Sequence, residues 1–334
     1  MRSLVVREWY TIAVAGMVVL ASLIPIGGEP AVVFSIATNV AIALLFFLQG
    51  ARLSRDVVIA GMVHWRLHLF VLATTFVLFP LLGLVILALP DLMNPTLALG
   101  VAFLCVLPST IQSSIAFTSI AEGNVPAAIC SASASNVIGI VLSPLIAGLL
   151  FHTQGRPGIS WDAVEGILLQ LLVPFVVGQI LQPWLGKWLL RHRVLTQIVD
   201  RGSILMAIYG AFSAAVIGGL WSTMGARDLA AVVLVDMALL AIVLCFTYYG
   251  SGWLGFNRAD RITIAFCGSK KSLASGAPIA NVIFGGRDAG SIVLPLMIFH
   301  QIQLMACAIL ARRFAESAHR SEAAQPEPQA ATST

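Results

Sequence analysis

Ten apolar segments recur along this chain, at approximately 9–26, 31–50, 68–90, 96–120, 125–151, 163–186, 200–221, 228–250, 259–284 and 290–312. Each approaches the length of about 20 residues that a helix needs to cross the hydrocarbon core of a bilayer. Between Tyr10 and Ala311 no polar stretch is long enough to form a soluble domain. Charged residues make up 10% of the 334 and hydrophobic ones 59%, whereas a soluble domain carries about 25% charged residues. In lipid every backbone polar group has to be satisfied within the segment, which favours helices. The prediction is an all-α polytopic membrane protein. One integral domain of ten transmembrane helices covers residues 1–313, and a disordered cytoplasmic tail covers 314–334.

Turn residues mark the connections, with Pro25, Gly27, Gly28 and Pro30 after the first segment and Pro90, Asn94 and Pro95 after the third. The first segment resembles a signal peptide in having Arg2 and Arg7 before an apolar run. Glu8 and the pair Trp9-Tyr10 fit a membrane-interface anchor better, and a retained helix is expected.

Basic residues orient the helices, because cytoplasmic loops are rich in Lys and Arg. With the N-terminus inside, the cytoplasmic side receives Arg2, Arg7, Arg52, Arg55, Arg66, Lys187, Arg191, Arg193, Arg201, Arg258, Arg261, Arg312, Arg313 and Arg320, fourteen of the 19. Only Arg156, Arg227 and Arg287 fall outside, and Lys270 and Lys271 lie inside the ninth segment. Both termini are expected in the cytoplasm, with the chain in a bacterial inner membrane. The net charge of +4 therefore reflects topology and not a nucleic-acid surface. Cys105, Cys130, Cys245, Cys267 and Cys307 all fall in apolar segments without a CxxC pair, so neither a disulfide framework nor a zinc site is expected.

Ten spans divide into two halves of five, and an odd number per half inserts the second half upside down. Inverted repeats of this kind are a recurrent plan of secondary transporters, whose sites form at helices interrupted at matching places in the two halves. The fourth segment reads LCVLPSTIQSSIAFTSIAEGN and its counterpart, the ninth, ITIAFCGSKKSLASGAPIAN. After Pro108 the polar residues Ser109, Thr110, Gln112, Ser113 and Ser114 follow within six positions. Unwound backbone at this depth persists only where protein or a water-filled cavity satisfies it.

In the ninth segment Ser269, Lys270, Lys271 and Ser272 form the break. Each lysine near the bilayer centre costs about 2.5–3.5 kcal/mol on the insertion scale, and a strong apolar residue returns only about 0.3–0.6. Both cannot face lipid; at least one ammonium is expected to project into a cavity, where it binds an anionic group or acts as a fixed cation, while its neighbour can instead pair with an acid. Asp236, in the eighth segment, is the one acid at membrane depth, and reads either as half of a Lys–Asp structural pair or as a protonatable coupling group. Asn136, after the small-residue stretch Ser131–Ser135, is a further candidate for lining the site. His300 reads first as a hydrogen-bonded helix contact. HExxH, GxSxG, GxxxxGK[ST] and GxGxxG are absent, and Ser269 beside Lys270 lacks hydrolase geometry because adjacent helical residues point about 100° apart. No enzyme activity is expected.

The stretch from Leu107, LPSTIQSSIAFTSIAEGNVPAAICSASASNVIGIVLSPLIAGLL, together with FCGSKKSLASGAPIANVIF and LLFFLQGARLSRDVV, resembles the bile acid:sodium symporter family. Within it the likeness is to the SBF-like branch that includes the member 7 type of solute carrier family 10, over about residues 8–313. The resemblance implies a panel domain (spans 1, 2, 6 and 7) and a core domain (spans 3 to 5 and 8 to 10) that move against each other, with the fourth and ninth spans crossing in the core. It also implies sodium held by polar groups on the fourth and fifth spans and by a Glu and a Gln on the ninth. Here Phe266 stands at the Glu position and Lys270 at the Gln position. Losing a hard oxygen ligand and gaining an ammonium disfavours sodium. Lys270 is expected to replace the cation's charge, with Na+ or H+ as the coupling ion and Asp236 as the proton carrier.

The expected function is symport of a small organic anion by alternating access, with membrane lipid and the anion as partners and no organic cofactor. A regulatory membrane protein that keeps the fold without transporting is the alternative. It gives no reason to maintain two lysines at midplane.

Overall fold

The computed structural model describes residues 2–52, 64–89, 91–152, 161–284 and 289–323. Arg55, Arg156 and Arg287, which enter the charge count above, lie outside them, as do residues 324–334. Among the described residues the structure is helical, without strands. In chain order the helices are α1 (Arg2–Leu23), α2 (Gly28–Arg52), α3 (Trp65–Leu87), α4 (Pro95–Val106), α5 (Gln112–Ile120) and α6 (Val125–His152). There follow α7 (Trp161–Arg191), α8 (Arg193–Ile217), a single helical turn at Leu220–Thr223, α9 (Ala226–Trp253), α10 (Arg258–Gly268), α11 (Leu273–Phe284) and α12 (Ala289–Ala323).

Among the described residues seven helices are long and apolar enough to cross a membrane: α2, α3, most of α6, α7 and α8, all of α9, and α12 to Ser317. Their outward side chains are apolar, with Val33 68%, Leu234 66% and Trp253 89% exposed, while Asn136, Asp236, Lys270 and Lys271 are buried. This inversion of the soluble pattern makes the chain an integral membrane protein. Of the other segments, the first gives a shorter apolar helix among the described residues, Ile12–Leu23 within α1, and the fourth and ninth are each interrupted, between α4 and α5 and between α10 and α11. Helical conformation also runs past the expected domain end at residue 313 to Ala323, so the first part of the supposed tail continues α12.

Local chemistry explains the ends nearest the site. Asn94 caps α4, its side-chain oxygen accepting from Thr96 N at 2.9 Å with Pro95 in the first turn, where a missing N–H costs nothing. Asn257 caps α10 in the same way through Asp260 N at 2.9 Å. The turn into α6 is tied to α10 by Asn124, which donates to Asp260 Oδ1 at 2.8 Å.

Helix α3 contains a π-turn over Thr74–Leu78, where Phe79 N bonds Thr74 O five residues back. The next bond in that register would run from residue 80 to Thr75 O. Residue 80 is proline and has no N–H, so Thr75 O is left free for another donor.

The helices pack as two groups. In the first, α2 lies on α7 and α8, and α1 lies on α8; the second comprises α3–α6 and α9–α12, with α4 held between α3 and α12. The groups meet where α8 lies on α11 and α12 and where α6 lies on α7. The α2–α7 crossing is set by a reciprocal pair of glycines. A Cβ on Gly50 would fall 2.1 Å from Phe175 O, and one on Gly178 2.0 Å from Phe47 O. Backbone cannot retreat from both contacts, so Gly178→Val is expected to separate the helices and lower the yield of folded protein several-fold, measured by detergent-extracted monodisperse fraction. An unchanged elution profile would contradict this packing.

Candidate functional site

Two interrupted helices meet at the centre of the second group. Leu107 ends α4 in extended conformation, and the chain stays non-helical to Ile111; on the other side Ser269 to Ser272 separate α10 from α11. Backbone groups freed at such breaks need partners, and several here are supplied by the facing break or by α6. Pro108 O accepts from Ser272 N at 2.9 Å. Ser109 N donates to Ser135 Oγ at 3.1 Å, and Ser109 O accepts from Asn136 Nδ2 at 2.6 Å. Val106 O accepts from Ser143 Oγ at 2.7 Å.

Two serines of the fourth segment reach across to the end of α10. Ser109 Oγ donates to Cys267 O at 2.6 Å and Ser114 Oγ to Phe266 O at 3.2 Å, capping the end of α10. Ser269 instead bonds back to Ala265 O at 2.6 Å. Ser135 and Asn136, at the end of the stretch SASASN, thus serve as a polar scaffold of the crossing. Asn136 joins it a second time by accepting from Ser275 Oγ at 2.8 Å.

Gln303 of α12 grips the other break. Its Oε1 accepts from Lys271 N at 2.8 Å and its Nε2 donates to Lys271 O at 2.9 Å, as a backbone strand would. Those two contacts fix the amide orientation, so the 2.9 Å contact between Nε2 and His300 Nδ1 has the imidazole as acceptor. The ring proton of His300 therefore sits on Nε2.

Beside the crossing lies an open cavity of about 500 Å³ between the two helix groups. Of the residues singled out from sequence, Thr110, Gln112, Ser113, Asn136 and Ser272 line it, joined by Ser275 and His300. Thr110 Oγ1 and Ser113 Oγ are 2.6 Å apart, forming a hydroxyl pair at its edge. The opposite wall was missed from sequence: Gln49 and Arg52 of α2, and Gln197, Asp200 and Arg201 of α8. Arg52 and Asp200 form a bidentate ion pair with both N···O distances 2.8 Å, and the Arg201 guanidinium lies 5.5 Å from the Tyr10 ring centre. Two arginines against one aspartate leave the lining formally at +1. Those arginines read in sequence as loop charges that set topology, and nothing local distinguishes them from the others.

The lysines do not line the cavity, contrary to expectation. Both are fully buried. Lys270 Nζ donates to Ser113 O at 2.8 Å and sits 3.9 Å above the Phe117 ring, with Phe266 at 5.2 Å. Lys271 Nζ turns the other way, to backbone carbonyls of α3 and α4. Neither pairs with Asp236, whose two carboxylate oxygens are buried in α9 without a hydrogen-bond partner among the described residues. The Lys–Asp structural pair is therefore not formed.

The model of the SBF-like CPA transporter family matches residues 8–316. This chain belongs to that family. An uncharacterized protein of Pseudomonas aeruginosa is 52% identical over 319 residues, which are 95% of this chain and 96% of that one. The symporter-named protein YfeH of Escherichia coli is 50% identical over 317 residues, 95% of each. Sodium/bile acid cotransporter 7 of Rattus norvegicus is 27% identical over 313 residues, 91% of each. Within this SBF-like chain, the family match spans both interrupted helices and the two walls of the cavity.

Proposed function

We propose that the chain is a secondary transporter that carries a small organic anion across the bacterial inner membrane by alternating access. The observation that carries this reading is the cationic, polar cavity between two helix groups, ending on a pair of interrupted helices. In this reading each interrupted pair, α4 with α5 and α10 with α11, counts as one of ten crossings arranged as two inverted halves, and α1 is another. The group of α1, α2, α7 and α8 is the panel, the remainder the core. With both termini cytoplasmic, Arg52 and Arg201 stand at the inner face and the cavity opens inward.

A second cavity of about 540 Å³ supports the same mechanism. It lies at the opposite end of the α2–α8 pair, lined by Thr38, Asn39, Gly210 and Asn281. Between the two, Asn281 Nδ2 reaches Ala207 O at 3.3 Å, and a Cβ on Gly290 would lie 2.7 Å from Ala211 O. Closing one vestibule while opening the other requires only that α8 slide on α11 and α12, a shear of packed helices. Gln112, the Thr110–Ser113 hydroxyl pair and the imidazole Nε2–H offer hydrogen bonds to the anion, and Arg201 its charge partner.

Asp236 is the proposed coupling group. A carboxylate without a donor at this depth is costly to ionise, and a proton there would be released only when the surroundings rearrange. Reconstituted protein should take up members of a carboxylate panel saturably, equally in sodium and choline media, and faster when the outside is acid. In Asp236→Asn, anion exchange at equal pH is expected to survive while the pH-gradient drive is lost. Absence of saturable uptake or exchange for every anion would overturn the transport reading; strict sodium dependence would overturn proton coupling.

A further inference from the structure

The sodium site implied by the family resemblance needs oxygen ligands at the meeting of the interrupted helices. Here the carbonyls that converge there already hold a cation. Lys271 Nζ donates to Leu107 O at 2.7 Å, Cys105 O at 3.0 Å and Thr75 O at 3.0 Å, and stands 4.0 Å over the Phe79 ring. A carbonyl has no hydrogen to contribute, so three such contacts require three N–H donors, which only the charged ammonium has. No donor remains for a ligand.

Each carbonyl is available for a separate local reason. Cys105 and Leu107 end α4, where the last carbonyls lack intrahelical donors and form the negative pole of the helix. Thr75 O is freed by the π-turn and by Pro80. A fixed positive charge between a helix C-terminus and a π-turn is what a coordinated cation would supply. Phe266, at the position of the family's Glu, contributes a ring beside Lys270 instead of a carboxylate.

We infer that the Lys271 ammonium is the permanent cation of this crossing, bonding α3, α4 and the α10–α11 break into one unit, so that the crossing binds no sodium. The expectation placed this role on Lys270, whose ammonium meets one carbonyl and two rings. The inference rests on the carbonyl geometry and is independent of which anion is carried.

The test is thermal unfolding of purified protein with no substrate present. Wild type is expected to show the same Tm in sodium and choline chloride and no saturable binding of radioactive sodium. Lys271→Ala vacates the carbonyls, and its Tm should fall on the order of 5–10 °C. Ammonium or methylammonium, small enough to enter, should restore Tm saturably in this variant, and choline should not. Lys271→Met keeps the side-chain volume without the charge; it should lose as much Tm and resist rescue. Saturable sodium binding to wild type would overturn the inference, and so would a Lys271→Met protein with wild-type Tm. If neither variant folds, the wild-type sodium measurement decides alone.

Discussion

Arg201→Glu is expected to reduce anion uptake by on the order of 100-fold. The substitution turns the formal charge of the cavity lining from +1 to −1. At about 5 Å and an effective dielectric near 20, each unit of charge changed alters the energy of a bound anion by roughly 3 kcal/mol, before the open cavity screens it. The cation–π contact with Tyr10 accounts for about 0.5–1 kcal/mol of any stability change. Arg201→Lys separates the two effects and should retain most of the uptake. Uptake by reconstituted protein, alongside thermal unfolding, measures both. Wild-type uptake in Arg201→Glu would remove the cavity charge from the transport reading, and a collapsed Tm would show that Arg201 is structural.

The second large effect is expected at a position with no charge. Gln303→Leu strands both Lys271 N and Lys271 O in a buried site, and removes the donor that sets the tautomer of His300. Each unsatisfied buried backbone group costs about 1–3 kcal/mol, so the loss should reach about 2–5 kcal/mol. Gln303→Glu keeps an acceptor for Lys271 N but has no donor for Lys271 O, and should fall between wild type and Gln303→Leu. Thermal unfolding in detergent orders the three proteins. A neutral Gln303→Leu would mean that the break between α10 and α11 is held by other contacts.

These two positions show different limits of reading the chain alone. Gln303 lies in the last apolar segment, but its partner is a backbone amide 32 positions away, and main-chain partners carry no side-chain signature. Arg201 was counted as a cytoplasmic marker. Its second role arises because α8 begins against the mouth of the cavity, which is a matter of packing between helices distant in sequence.

What the sequence determined by itself was the solvent and the places of interruption. Recurrent apolar runs of bilayer length dictated helices in lipid, because hydrocarbon offers no partner to an unpaired amide. Pro108 with its hydroxyl neighbours, and Gly268 to Ser272 with two lysines, marked where helix could not continue without help. Tertiary structure alone decided which groups give that help and which way the lysines turn. Periodicity cannot tell a lysine in a cavity from one buried on carbonyls, since both avoid lipid. The choice fell to Thr75 O, Cys105 O and Leu107 O: a π-turn and a helix end, brought together by folding, offered the Lys271 ammonium three acceptors, and the cavity was left to the arginines.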